Sequence, residues 1–217
     1  MFGFLKKRGD KNKLQAQVKK PEVMGLCVGS SFDLDKLSFQ LILQELVISE
    51  VADTQLIQAA GEVDLGSSTL LRFYTDDDAW LQVVCEGGVS EENIVDVTLF
   101  HYYDTLNVAS TEWDDLLNHK IGVPVYTLEG HQYERVWTST SEYHPPVAMQ
   151  EETYDDSNEA SETDQFVMLF ERELTDGSYE QLYLSAEESL NDNNQLERCL
   201  VISTGVKISA TQIRVNG

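Results

Sequence analysis

The chain contains one run of three adjacent carboxylates, Asp76-Asp77-Asp78, and that run is where metal chemistry would first be sought. Hard divalent cations take oxygen ligands, and Ca²⁺ needs about six to eight of them. The triplet has neither the ligand spacing of a calcium-binding loop nor its turn glycine, so solvated turn carboxylates are expected and no metal site is assigned. His101 is the most informative of the four histidines. Its parity matches Val95, Val97 and Leu99, which brings its ring to the core or to the end of a sheet, with Tyr102, Tyr103 and Asp104 following as hydrogen-bond partners. A satisfied structural histidine is the expectation. The competing assignment is a metal-binding protein or hydrolase-type enzyme built from Asp76, Asp77, Asp78, His101 and Asp104. His119, His131 and His144 show no HxxxH or HExxH spacing, and the chain has no P-loop, nucleophile elbow or dinucleotide-binding turn. The balance is against an enzyme, and no cofactor is expected.

The elements that must position these residues follow from period-two alternation. Leu71 and Phe73, then Ala79, Leu81, Val83 and Cys85, form two apolar runs across the polar Thr75–Asp78 turn, which predicts a hairpin with Gln82 on the opposite face. A second hairpin is predicted from Val123 to Leu128 and from Tyr133 to Thr138, turning at Glu129-Gly130. A third joins Phe166–Leu174 to Tyr179–Ser185 through Thr175-Asp176-Gly177-Ser178, since Asp-Gly suits a tight β-turn. Leu81, Val83, Leu99, Trp137, Phe166, Met168 and Phe170 are expected in the core. Short helices are predicted around Leu37–Leu43 and over Ser110–Asn118, where Ser110 or Thr111 could cap and Trp113, Leu116 and Leu117 share a face. A strand is expected up to Tyr154 and a solvated acidic loop from Asp155 to Thr163. The resulting fold class is α+β, predominantly antiparallel β-sheet hairpins with a few short helices.

Charge divides the chain. The formal net charge is -23, yet residues 1–20 carry seven bases against Asp10 alone, a balance of +6 that leaves -29 on the rest. A body that negative repels phosphate backbones, so nucleic-acid binding is not expected. The organisation is therefore a basic arm over 1–20 and one acidic β-rich domain over 21–217, with 141–164 as a place where subdomains could divide. Cys27, Cys85 and Cys199 are odd in number, lack CxxC spacing and lie among apolar residues, which suits buried hydrophobes better than disulfides or zinc. Phe2–Leu5 is too short for a secretory core, and Leu37–Val51 is broken by Gln40, Gln44, Glu45 and Glu50, so a cytoplasmic protein is expected. In the arm, Phe2, Phe4 and Leu5 precede Lys6, Lys7 and Arg8. Apolar side chains can enter a headgroup region while adjacent cations meet anionic lipid, so weak peripheral contact with an anionic inner-membrane face is one expected use.

Three stretches go beyond generic patterning: Arg72 to Val83 (RFYTDDDAWLQV), Val97 to Asp104 (VTLFHYYD) and Tyr133-Glu134-Arg135-Val136-Trp137. They resemble the YjfK-like family of uncharacterised bacterial proteins, over a span from about Gly25 to the end. The resemblance implies no established activity and supplies no catalytic residues. It implies, through the genes that neighbour such relatives, an accessory role in envelope or membrane maintenance and a phage-shock-protein-A-like coiled-coil protein as partner. The function read from the sequence is a non-enzymatic interaction module.

Overall fold

A computed structural model describes residues 19–48, 50–156, 160–191, 193 and 195–216, with backbone alone for residues 36–38 and 210. Its elements in chain order are β1 (Ser31–Leu34), α1 (Lys36–Leu43), β2 (Thr54–Asp64), β3 (Ser68–Thr75), β4 (Ala79–Glu86), β5 (Ile94–Asn107) and α2 (Trp113–Asp115). Then come β6 (Val125–Leu128), β7 (His131–Arg135), β8 (Val147–Tyr154), β9 (Ala160–Glu173), β10 (Tyr179–Leu190), β11 (Leu196–Lys207) and β12 (Ile213–Asn216). Every pairing between these strands is antiparallel. The order runs β2-β3-β4-β5-β11-β10-β9, and β8 pairs with both β9 and β2, closing eight strands into a barrel. The closing seam is short: Ala60, Gly61 and Glu62 face Tyr154, Thr153 and Glu152.

Closure gives the strands two buried faces. Outside β2–β5, Ile57, Leu71, Phe73, Leu81, Val83 and Leu99 pack under Leu26, Phe32 and Phe39 from the chain before β2. Outside β9–β11, Met168, Phe170, Leu182, Leu184 and Ile202 pack under Trp113, Leu116, Leu128 and Tyr133. Inside the barrel, Trp80, Phe100, Val167 and Tyr183 form a third cluster, with Trp80 stacked on Phe100 at 4.3 Å between centroids. This is why β3 and β4 show long runs of buried residues instead of strict alternation.

The three predicted hairpins are β3–β4, β6–β7 and β9–β10. Leu81, Val83, Leu99, Met168 and Phe170 are buried, and Phe166 and Trp137 pack partly buried against the core. The α+β class is overturned: the described residues are mostly strand, the sheet is a closed barrel, and α1 is the one α-helix of more than a single turn among the described residues. The predicted helix over 110–118 is present but begins later, at Trp113, and runs to Lys120. Neither Ser110 nor Thr111 occupies the N-cap; Glu112 does, without a side-chain cap bond. Three α-helical residues form and then widen into a π-turn over Leu116–Lys120. The acidic loop is also shorter than expected, because β9 already begins at Ala160.

Candidate functional site

Inward-facing residues of β4, β8, β9 and β10 converge on Arg72 of β3, which is 2% exposed. Its Nη1 donates to Glu151 Oε2 at 2.6 Å and to Gln165 Oε1 at 2.7 Å, its Nη2 to the Tyr183 hydroxyl at 2.6 Å, and its Nε to Gln82 Oε1 at 3.3 Å. Met149 Sδ lies 3.6 Å from Nη2. β3 is not a neighbour of β9 or β10 in the sheet, so these bonds cross the lumen and tie opposite walls together. The guanidinium also lies 5.0 Å from the centroid of the Trp80 ring. Glu151 is equally enclosed: its Oε1 accepts from Tyr74 OH at 2.6 Å, and Gln165 Nε2 donates to Oε2 at 2.9 Å. Room for that carboxylate comes from β2, where a Cβ on Gly61 would stand 1.8 Å from Glu151 Oε1. All five N–H groups of Arg72 are directed at acceptors, so the guanidinium itself has no free donor to offer an anion.

Burial opposes the Arg72 charge, but Tyr183, Glu151 and Tyr74 outweigh it and hold the guanidinium firmly protonated. Burial pushes the Tyr183 hydroxyl up to about 12. Glu187 is the strained member. Burial raises its carboxyl above the ordinary 4.5; Ser185 and, to a lesser degree, Arg72 offset this in part, while Glu151 adds to the rise. The folded chain therefore holds a proton that the unfolded chain has already lost, and stability falls as pH rises through that window. Glu187→Gln removes the penalty while keeping an oxygen for Gln165 Nε2, which stands 3.3 Å from Glu187 Oε1. Its melting temperature is expected to exceed wild type at pH 7, with the gain fading toward pH 4. An equal gain at both pH values, in melts across that range, would show that Glu187 ionises normally.

The residues singled out in the sequence do not form one centre. Asp77 and His101 come together, with His101 Nε2 3.6 Å from Asp77 Oδ2, too long for a hydrogen bond. That oxygen is already taken by Ala52 N at 2.8 Å and Gln55 Nε2 at 2.7 Å. Asp76 Oδ1 accepts from Leu56 N, while Asp78 takes positive φ in the turn and its carbonyl accepts from Tyr102 N. Asp104 is exposed and its carboxylate accepts from Thr105 N. The triplet thus ties the β3–β4 turn to β2. His101 is buried, and neither ring nitrogen has a hydrogen-bond partner among the described residues. Burial lowers its pKa from the ordinary value and Asp77 offsets this only in part. No group of three His, Cys, Asp or Glu able to hold a metal occurs among the described residues. Phe2, Phe4, Leu5, Lys6, Lys7 and Arg8 lie outside the described residues.

Two of the surface concavities are lined by strongly exposed leucines. One, of about 530 Å³, runs between α1 and the start of β10 and includes Leu41, Ile42, Asp176, Tyr179 and Lys207. Leu41 is 81% exposed and Tyr179 44%. The other, of about 630 Å³, crosses β8, β9, β10 and β11 and includes Gln150, Glu162, Asp164, Glu188, Leu190 and Leu196.

Comparison with known proteins decides the kinship. A family described as "Protein of unknown function (DUF2491)" matches residues 1–214. The chain belongs to this family. It is also 30% identical, over 221 residues and the full length of both chains, to the "Uncharacterized protein YjfK" of Escherichia coli (strain K12). No solved structure matches the chain. Membership in the DUF2491 family brings no assigned chemistry, so the residues must speak through geometry. Among the described residues, no helix is long and apolar enough to cross a membrane. The sequence reading missed Arg72, Glu151, Gln165 and Tyr183 as a unit. No local signal marked them: Arg72 alternates with Leu71 and Phe73 just as a solvent-facing residue of a half-buried strand does.

Proposed function

We propose that this DUF2491-family chain is a non-enzymatic interaction module, cytoplasmic and able to work at the inner membrane face, that docks a protein partner in the groove beside α1. The observation that carries the reading is the exposure of Leu41, at 81%, beside Ile42 and Tyr179 in a concavity of about 530 Å³. Single exposed apolar side chains are ordinary, but Leu41 and Tyr179 line one concavity together, and aromatic residues at a groove rim suit a binding anchor. The saturated bonding of Arg72 supports the same reading from the other side: the guanidinium acts as a structural tie across the lumen. Asp76 and Asp77, spent on backbone and side-chain bonds within the fold, do not favour the metal or hydrolase alternative.

The partner proposed is a phage-shock-protein-A-like coiled-coil protein, in keeping with the family resemblance. The test is titration of that purified protein against the full chain and against Leu41→Glu. Replacing an apolar contact of this size by a charge should weaken binding roughly tenfold or more. Equal affinity for both proteins would reject the α1 groove, and no binding at micromolar concentration would reject this partner.

A further inference from the structure

We infer that the groove across β8–β11 is the intramolecular docking site of the chain's own first eighteen residues, which lie outside the described part. Three independent observations meet there. The first is position. Lys20, at the start of the described chain, donates through Nζ to the carbonyl of Asp155, just past the end of β8. That contact places the point where residues 1–18 leave the body at the β8–β9 hairpin, whose strands also contribute Gln150 and Asp164 to the groove. Eighteen residues reach up to roughly 60 Å when extended, and neighbouring strands are only about 4.8 Å apart, so the whole groove is within range.

The second observation is the groove's mixed chemistry. Leu190 and Leu196 are 64% and 53% exposed, side by side on paired strands. Glu162, Asp164 and Glu188 lie around them, with Arg198 bonded to Glu188 as the local base. The third is that residues 1–18 carry the complementary pair of features in close order: Phe2, Phe4 and Leu5, then Lys6, Lys7 and Arg8. Charge alone would not select this site. Attraction between solvated groups is largely screened beyond about 8 Å at physiological salt, and acids are spread over the whole body. Apolar contact selects it, because the phenylalanines and the exposed leucines are each poorly solvated and each gains by covering the other. The lysines and arginine then fall at the acidic rim. Docking here also removes a repulsion, since an uncovered rim adds to the self-repulsion of a strongly negative body.

This inference stands apart from the α1 groove, which lies at another part of the surface, so either can fail alone. The test is carbodiimide coupling of the full-length monomer, which joins lysine amines to carboxylates in direct contact, followed by mass-spectrometric mapping. The expected result is that Lys6 and Lys7 couple within one molecule, chiefly to Glu162, Asp164 and Glu188. The pairing should drop severalfold in a Leu190→Ser, Leu196→Ser variant, which keeps every carboxylate and exchanges only exposed side chains. Coupling scattered over the body's acids, coupling mainly between molecules, or a yield unchanged by the two leucine substitutions would each overturn the inference. So would the absence of these couplings from a chain that co-sediments with anionic phosphatidylglycerol vesicles, since residues 1–8 would then have a lipid target instead.

Discussion

Replacing Arg72 by Met is expected to destabilise the protein by roughly 3–5 kcal/mol, because it strands Glu151 as an uncompensated charge inside the barrel. The side chains of Arg72 and Glu151 are both 2% exposed and their charged atoms are 2.6 Å apart. With the guanidinium gone, Tyr74 and Gln165 still donate to the carboxylate, but neither carries a positive charge. The double variant Arg72→Met, Glu151→Leu should recover part of that loss, since it removes the stranded charge, while Gln82, Gln165, Tyr74 and Tyr183 still lose partners. Urea titration of wild type, both single variants and the double variant measures the coupling directly. Additive losses would show that the two groups do not depend on one another.

The second large effect is expected at Gly205, on β11 opposite Phe100. A Cβ there would lie 2.4 Å from Phe100 Cδ1 and 2.7 Å from the carbonyl oxygen of Leu99. The ring has little freedom to retreat, since it stacks on Trp80 at an interplanar angle of 16° and lies 5.5 Å from the Tyr183 ring. Gly205→Ala should therefore cost about 1–3 kcal/mol by overpacking, and Gly205→Val more. Thermal melts check the ranking, and Phe100→Leu in the Gly205→Ala background should return part of the loss. A Gly205→Ala protein that melts with wild type would mean that β5 and β11 are farther apart than the register implies.

What was legible in the sequence was local. Each predicted hairpin joins strands separated by a short polar turn, so pattern and turn chemistry sufficed: Asp76–Asp78 between β3 and β4, Glu129-Gly130 between β6 and β7, Thr175–Ser178 between β9 and β10. The barrel was not legible, because its closure depends on β2 meeting β8 and β5 meeting β11, pairings between residues remote in the chain. The same gap hid the lumen. Alternation correctly set Gln82 opposite Leu81 and Val83, yet a polar face reads as a solvent face until the sheet is known to close. Arg72, Gln165 and Tyr183 were invisible as partners for that reason. His101 was placed correctly on the buried parity, but its expected hydrogen bonds to the residues after it are absent. Its neighbour is Asp77, from the turn one hairpin away.

The seam between β2 and β8 makes this barrel something that can breathe. β8 is held to β9 along eight residue pairs but to β2 along three, and the next part of β2 toward its start is occupied by β1. Pairings so remote in the chain form late, after the local hairpins have already settled, so the sheet exists open before it exists closed. The amides of Gly61 and Thr153 should accordingly exchange with solvent earlier than those in the middle of β10, where both neighbours run the length of the strand. Every such opening draws Glu151 away from Gly61 while Arg72 stays anchored across the lumen to β9 and β10, so the ion pair that ties the walls together also acts as the spring that shuts them.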